Sequence, residues 1–265
     1  MYAIACKVVG RGCFVLLAAI ALHLGLAAGD MLSLEFLLGV PLDLGRSGGI
    51  APLLLNTLMM VSVAIVLATV VAFPAGLMHS MSAGKGGPVR IYTRVVMEVG
   101  VGMPRLLWGL VGAVVFVGFF GYSFAAGALT LACLLVPILF TSMVIGLERA
   151  ADEMLPDCRA LGMPPGASWF RVILPKATPA LSASVVLAVG RALGDAAALT
   201  LTAGVSLRLA TDLGDSARTL AVHVLQMATV IPGGHAAAMA TGLVLLVMTG
   251  ATQGLIAYLE HKRME

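Results

Sequence analysis

Six long apolar runs decide what this chain can be: approximately 8–29, 50–79, 95–120, 125–147, 180–204 and 236–259, set apart by charges, Pro and Gly. Each reaches the roughly 20 helical residues that cross a hydrocarbon core about 30 Å thick. The runs are continuous rather than alternating, which points away from a barrel, and a helix satisfies its own backbone groups in lipid. The reading is an all-α polytopic membrane protein with six spans. Composition agrees, since 60% of the 265 residues are hydrophobic and 11% charged, against about half and about a quarter in a soluble domain. Disorder is excluded, and with four Cys so is a disulfide-stapled scaffold.

The first run also fits a cleaved signal peptide, because Lys7 and Arg11 precede an apolar stretch ending in Ala27-Ala28-Gly29. A retained first helix is the simpler reading. With both termini cytoplasmic, the inside segments carry eleven of the sixteen Lys and Arg, and the outside loops carry only Arg46, Arg208 and Arg218. This is a positive-inside bias, so the net charge of +3 is a topology signal and not a nucleic-acid patch. The four Cys form no CxxC or His-Cys cluster, which gives no metal site. His79, His223 and His235 are isolated and read as interfacial polar residues. Gly84-Lys85 lacks the earlier Gly and the following Ser or Thr of a Walker A loop. The chain is therefore expected to be a non-enzyme, with any ATP bound by a separate protein.

The longest polar interruption runs from Glu148 to Thr178 and carries its own apolar anchors, among them Leu155, Met163, Trp169, Phe170 and Ile173. Pro164-Pro165-Gly166 forces a turn between two short helical stretches, which form either an interfacial pair at the membrane surface or a docking surface for a cytoplasmic partner. Ala160-Leu161-Gly162, nine residues, and then Val172-Ile173-Leu174-Pro175 resemble the signature loop of the membrane subunits of bacterial ABC importers. That loop reads Glu-Ala-Ala, three residues, Gly, nine residues, then an aliphatic residue, any residue and Leu-Pro. In the family it forms the coupling helix that fits a cleft on the ATPase. The resemblance implies this role for Asp157, Ala160, Leu161, Gly162, Trp169, Leu174 and Pro175. Gly162 lets the chain turn sharply, and Pro175 is expected to end the loop where the next span begins. The family's Glu-Ala-Ala falls on Pro156-Asp157-Cys158 here, with Asp157 and Glu153 as the nearest substitute acids.

Arg191 and Asp195 are four apart in the fifth run, so they are expected to share a helix face and pair. Charges at such depth cost about 2.5–3.5 kcal/mol each on insertion scales and face a bundle interior or a water-filled cavity. The pair either fixes helix packing, beside the small Gly190 and Gly194, or lines a path for a charged solute. The string GRALGDAAALTLTAG from Gly190 to Gly204 resembles the phosphate-importer permeases, specifically the second of their two membrane subunits. Arg191, Gly194 and Thr202-Ala203-Gly204 match that pattern, and Asp195 stands where the family has Glu. Gly102-Met103-Pro104 through Gly109-Leu110 is similar to the family's Gly-Ile-Pro-Ser segment ending in Gly-Leu, and Ala126 to Leu131 is similar to the start of its next span. Arg105 takes the place of the Ser. It follows Pro104 in an interrupted run of the kind that borders solute paths in transporters, or it snorkels to the cytoplasmic interface. Phe140 falls where the family often carries Arg. The resemblance covers roughly residues 50–260.

The expected organisation is a first span and short external loop over 1–49, then a transmembrane core of the type I ABC importer kind over 50–265 with its coupling loop at 148–178. The resemblance implies half of the translocation pore of an ATP-driven importer for inorganic phosphate, in the bacterial inner membrane. Arg191, Asp195, Arg105, Thr200 and Thr202 would line the substrate path. No cofactor is expected in this chain; ATP and Mg would sit on the ATPase. The implied partners are a second homologous permease, two ATP-binding cassette ATPases, an extracytoplasmic solute-binding protein and membrane lipid, with no nucleic acid. Three other readings stay open: import of molybdate, tungstate or sulfate, ion-coupled secondary transport, and a non-transporting scaffold.

Overall fold

The computed structural model describes residues 19–29, 33–82 and 88–264. Helix α1 (Ala19–Ala28) leads to a short α2 (Leu34–Leu38) and a two-stranded antiparallel hairpin, β1 (Pro41–Leu42) and β2 (Ser47–Gly48). Then come α3 (Ala51–Met81), α4 (Pro88–Gly102) and α5 (Arg105–Phe120). They are followed by α6 (Phe124–Ala160), α7 (Pro165–Leu193), α8 (Ala197–Thr200), α9 (Leu220–Thr229) and α10 (His235–Met264). Apart from the small hairpin the regular structure among the described residues is helical, as the apolar runs predict.

Among the described residues four helices are long and apolar enough to cross a membrane, α3, α6, α7 and α10, and a fifth span exists if α4 and α5 form one broken crossing bent by 102°. These correspond to five of the six predicted runs. The first run is met by α1 over its second half. Residues 8–18, Lys7, Gly84 and Lys85 lie outside the described residues, and with them most of the signal-peptide reading.

Helix α6 is the central element. Met60, Ala64, Ala68 and Ala72 of α3 recur every four residues and are fully buried, which puts them on one helix face. They share a core with Leu131, Leu135 and Leu139 of α6. The small side chains let the two backbones approach closely, and at Gly76 an added Cβ would already touch Val144 at 3.5 Å. The other face of α3, with Val63, Val66, Val70 and Val71, stays exposed and apolar, as suits lipid or a neighbouring membrane subunit.

The 148–178 segment differs from the expected loop with short interfacial helices. Both arms are continuous with the spans: α6 runs on to Ala160 and α7 starts at Pro165. The arms hold together through Leu147, Ala150, Ala151, Trp169, Ile173 and Ala177, which form one buried cluster. Pro175 does not end the loop, contrary to expectation, because it lies inside α7. A π-helical turn at Trp169–Ile173 precedes it, and the widened turn accommodates a residue that donates no backbone hydrogen bond.

At the opposite end of the bundle the segment after α8 is stitched over the starts of α3 and α6. Buried Asn56 of α3 donates through Nδ2 to the Arg208 carbonyl and accepts at Oδ1 from the Ala210 amide, both at 2.9 Å. Thr57 Oγ1 accepts from the Leu220 amide at 2.9 Å, and the Phe124 amide donates to the Asp215 carbonyl at 2.7 Å. His223 of α9 is buried beneath the β1–β2 hairpin, where a Cβ on Gly45 would come within 2.7 Å of its ring. Arg218 Nη1 donates to His223 Nδ1 at 3.4 Å, which requires a neutral ring. Burial, and secondly the Arg218 charge, push the His223 pKa down to about 4. Between the ordinary value near 6.5 and about 4 the unfolded chain holds a proton that the folded chain lacks, so stability falls as pH drops through that window. The full loss is at most about 3 kcal/mol. Thermal unfolding of the purified chain from about pH 7 to about pH 4.5 is expected to show this decline, and His223→Gln is expected to shrink it; an equal decline in the variant would assign it to other groups.

Candidate functional site

Two interruptions of the helical bundle meet at one place. Pro104 stands between α4 and α5, where it supplies no amide to continue α4, and the chain bends by 102°. The bend is braced by Trp108, whose indole Nε1 donates to the Gly100 carbonyl at 3.2 Å. The second interruption is the end of α7 at Leu193, with Gly194 as its C-cap. Helix α5 crosses the short α8 at Gly109, where an added Cβ would stand 2.8 Å from the Ala198 Cα. Only a glycine permits this approach, since the obstacle is backbone.

Asp195 sits in the second interruption and is fully buried. Its Oδ1 accepts from the Ala198 amide at 3.1 Å, which fixes the carboxylate against the first turn of α8. Its Oδ2 faces Arg105 Nη1 at 3.6 Å, an ion pair beyond hydrogen-bond distance, with the Arg105 side chain 44% exposed. The pair ties the α4–α5 break to the α7–α8 break. The expected Arg191–Asp195 pair does not form. Asp195 lies past the helix end, so the four-residue spacing no longer places it above Arg191, which is exposed and has no ion-pair partner within 4.0 Å among the described residues. Thr200 donates to the Ala196 carbonyl at 2.6 Å, and the buried Thr202 donates to the Ala198 carbonyl at 3.1 Å. Arg105 and Asp195 thus meet at the junction, while Thr200 and Thr202, on and just past α8, are each bonded to a carbonyl of their own segment.

The second cluster is the α6–α7 hairpin. After Ala160 the Leu161 amide bonds the Asp157 carbonyl, the Gly162 amide the Arg159 carbonyl and the Met163 amide the Cys158 carbonyl. Gly162 adopts φ +67°, the left-handed conformation that lets a helix end and reverse. Pro164 then leads into α7. At the tip Leu161 is 78% and Phe170 57% exposed, with Asp157 and Ala160 exposed beside them. Trp169 points inward and is buried with Ile173, while Leu174 is half-buried. Glu153 is held by Lys176 at 3.7 Å across the hairpin, which leaves Asp157 as the freer acid near the tip. Above the hairpin Arg90 pairs with Glu148 at 2.7 Å, clamping α4 to α6 beside a cavity of about 260 Å³ lined by His79, Arg94, Glu98, Thr141 and Glu148.

Two features escaped the sequence reading. The Arg105–Asp195 partnership joins residues far apart in the chain, although a helix breaker beside each of them, Pro104 and Gly194, was a usable sign. Phe170, not Trp169, supplies the exposed aromatic of the tip.

The family described as binding-protein-dependent transport system inner membrane component matches residues 72–264. The phosphate transport system permease protein PstA of Mycobacterium leprae (strain TN) is 30% identical over 155 residues, covering 57% of this chain and 51% of that one. The chain thus matches about half the length of this mycobacterial relative. The probable ABC transporter permease protein YqgH of Bacillus subtilis (strain 168) is 26% identical over 246 residues, covering 87% of this chain and 78% of the other. Among solved structures, one of the inward-facing conformations of the MetNI methionine ABC transporter superposes with a TM-score of 0.55 at 16% identity, covering 77% of this chain and 93% of that one. At that identity the likeness speaks for the fold. The apolar helices, the helical hairpin with its Gly162 turn and a family match over most of the chain lead to one conclusion: this chain belongs to the binding-protein-dependent inner membrane components, as a permease subunit of the ABC importers akin to the phosphate-system permeases.

Proposed function

We propose that the chain forms one half of the translocation pore of an ATP-driven importer for inorganic phosphate in the bacterial inner membrane. The hairpin tip and both termini face the cytoplasm, and the segment between α8 and α9 faces outward. The phosphate-permease relatives support the substrate. The observation that carries the reading is a fully buried carboxylate paired with a half-exposed arginine where two helices break, because an intramembrane ion pair of this kind marks a solute pathway.

The mechanism follows from rigid elements. Two ATPase subunits, which bind ATP and Mg, grip the exposed Leu161 and Phe170. A second homologous permease completes the pore, and an external solute-binding protein delivers the ion. Helix α7 has 29 residues, so it extends roughly 43 Å at 1.5 Å per residue. A displacement at the tip is thereby carried along α7 to Gly194 and Asp195. Because Asp195 is tied to Arg105, movement of the α7 end pulls on the α4–α5 bend and changes access to the pore. Nucleotide shifts the equilibrium only by favouring one of the two arrangements. Proteoliposomes containing the assembled importer are expected to accumulate labelled phosphate with ATP and the binding protein on opposite sides of the membrane. Uptake that is inhibited by sulfate or molybdate and indifferent to phosphate would replace the substrate, and uptake without ATP would reject the mechanism.

A further inference from the structure

The cavity of about 260 Å³ between α3, α4 and α6 lies where the spans leave the apolar layer. His79 stands two residues before the end of α3, and Glu148 is the first charged residue of α6. Val144 and Ile145 give the cavity an apolar side, and His79, Arg94, Glu98 and Glu148 give it a polar one. The directions of the hydrogen bonds are fixed. Thr93 gives its one hydroxyl hydrogen to the Arg90 carbonyl at 3.1 Å, so at 3.0 Å it accepts from His79 Nδ1. A neutral ring then keeps its lone pair on Nε2. His79 is only 6% exposed, and no described residue donates to that nitrogen. Glu98 Oε1 accepts from Arg94 Nε at 2.8 Å and Glu148 Oε1 from Arg90 Nη2 at 2.7 Å. The second oxygen of each carboxylate has no donor among the described residues, so three acceptors border one cavity. They do not converge on a metal ion, since no group of His, Cys, Asp or Glu among the described residues is placed to hold one. A group that brings several N–H donors satisfies them.

Arg94 is held through Nε, which turns the fork of its two Nη groups to an anion. With Arg90 on Glu148 and Arg94 on Glu98 the charges cancel, so an occupant without net charge fits. Along α4 the exposed Ile91, Val95 and Val99 recur every four residues, an apolar strip beside the polar one. We infer that the cavity holds the headgroup of an ethanolamine phospholipid. Its ammonium meets His79 Nε2 and the spare oxygens of Glu98 and Glu148, its phosphodiester meets Arg94, and its acyl chains lie along α4. A choline headgroup carries methyl groups in place of the N–H donors. They add bulk in a cavity smaller than the roughly 300–1,000 Å³ that takes a drug-sized ligand. A glycerol headgroup leaves a negative lipid facing two acids. The inference does not depend on which solute is carried, and failure of the import reading would leave it standing.

The test is native mass spectrometry of the detergent-purified full-length chain, with the subunits that accompany it, titrated with phosphatidylethanolamine, phosphatidylcholine and phosphatidylglycerol of identical acyl chains. Phosphatidylethanolamine is expected to half-saturate at a concentration at least about tenfold lower than either of the others. Glu98→Gln removes an exposed carboxylate and is expected to shrink that preference to about threefold or less. Arg94→Gln, also exposed, is expected to weaken the ethanolamine and choline lipids alike and leave their ratio unchanged. Equal binding of the ethanolamine and choline lipids by the wild type would overturn the inference, as would an undiminished preference in Glu98→Gln. Displacement of the lipid by an equal concentration of soluble glycerophosphoethanolamine would assign the cavity to a free amine and overturn the lipid.

Discussion

Arg105→Glu is expected to abolish ATP-driven uptake, lowering it at least about 100-fold, and to destabilise the chain by about 2–3 kcal/mol. Asp195 is fully buried, and its cationic partner stands at 3.6 Å. Reversing that partner sets two carboxylates against each other where water screens them poorly. Breaking a fully buried pair costs about 3–5 kcal/mol; the smaller figure reflects the exposed half of Arg105, from which a glutamate can turn away. Arg105→Glu combined with Asp195→Asn is expected to recover most of the lost stability, because the repulsion disappears with one charge. Arg191→Glu is expected to change the unfolding midpoint little, within about 0.5 kcal/mol. Thermal unfolding of the wild type, these three variants and Asp195→Asn alone checks the pairing. Additive single effects, or a large loss at Arg191, would return the partnership to the two residues four apart in sequence.

Placing Asp at both Leu161 and Phe170 is expected to separate the chain from its ATPase. ATP-driven uptake should drop to background, a loss of about 100-fold or more, since exposed apolar anchors carry most of the energy of such contacts. Folding should be unaffected within about 0.5 kcal/mol, as both side chains stand mostly in solvent at the hairpin tip. Trp169→Ala, one position away, is expected to behave oppositely. It empties the shared core of the two arms and costs about 3–5 kcal/mol of stability. Co-purification of the ATPase together with the unfolding midpoint distinguishes the two outcomes. A double Asp variant that retains its ATPase would place the coupling surface elsewhere.

The spans were legible because length and apolarity are local properties: α3 and α10 match their runs closely, α6 contains its run, and α7 shares residues 180–193 with the run at 180–204. The turn at Gly162 was legible for the same reason, since a left-handed residue closing a helix is a demand that one glycine meets by itself. The junction was not. Periodicity treats 180–204 as one helix and so stacks Asp195 over Arg191, but Gly194 ends α7 first and Asp195 turns into the path of Arg105. That partnership depends on where two separate breaks come to rest, which packing decides. The hairpin shows the same limit. The continuation of α6 past Leu147 and the π-helical turn before Pro175 are consequences of two arms burying Trp169 and Ile173 against each other, and neither arm contains that information alone.

The proposed function requires that this chain work as the membrane half of an ATP-driven assembly. The deciding measurement is affinity purification of the tagged full-length chain from gently solubilised membranes, with mass spectrometry of the bound proteins and ATP hydrolysis assayed on the eluate. A second related permease and an ATP-binding cassette ATPase are expected in the eluate, with hydrolysis stimulated by a solute-binding protein loaded with phosphate. A monodisperse chain that elutes alone and carries phosphate into liposomes without ATP would contradict it.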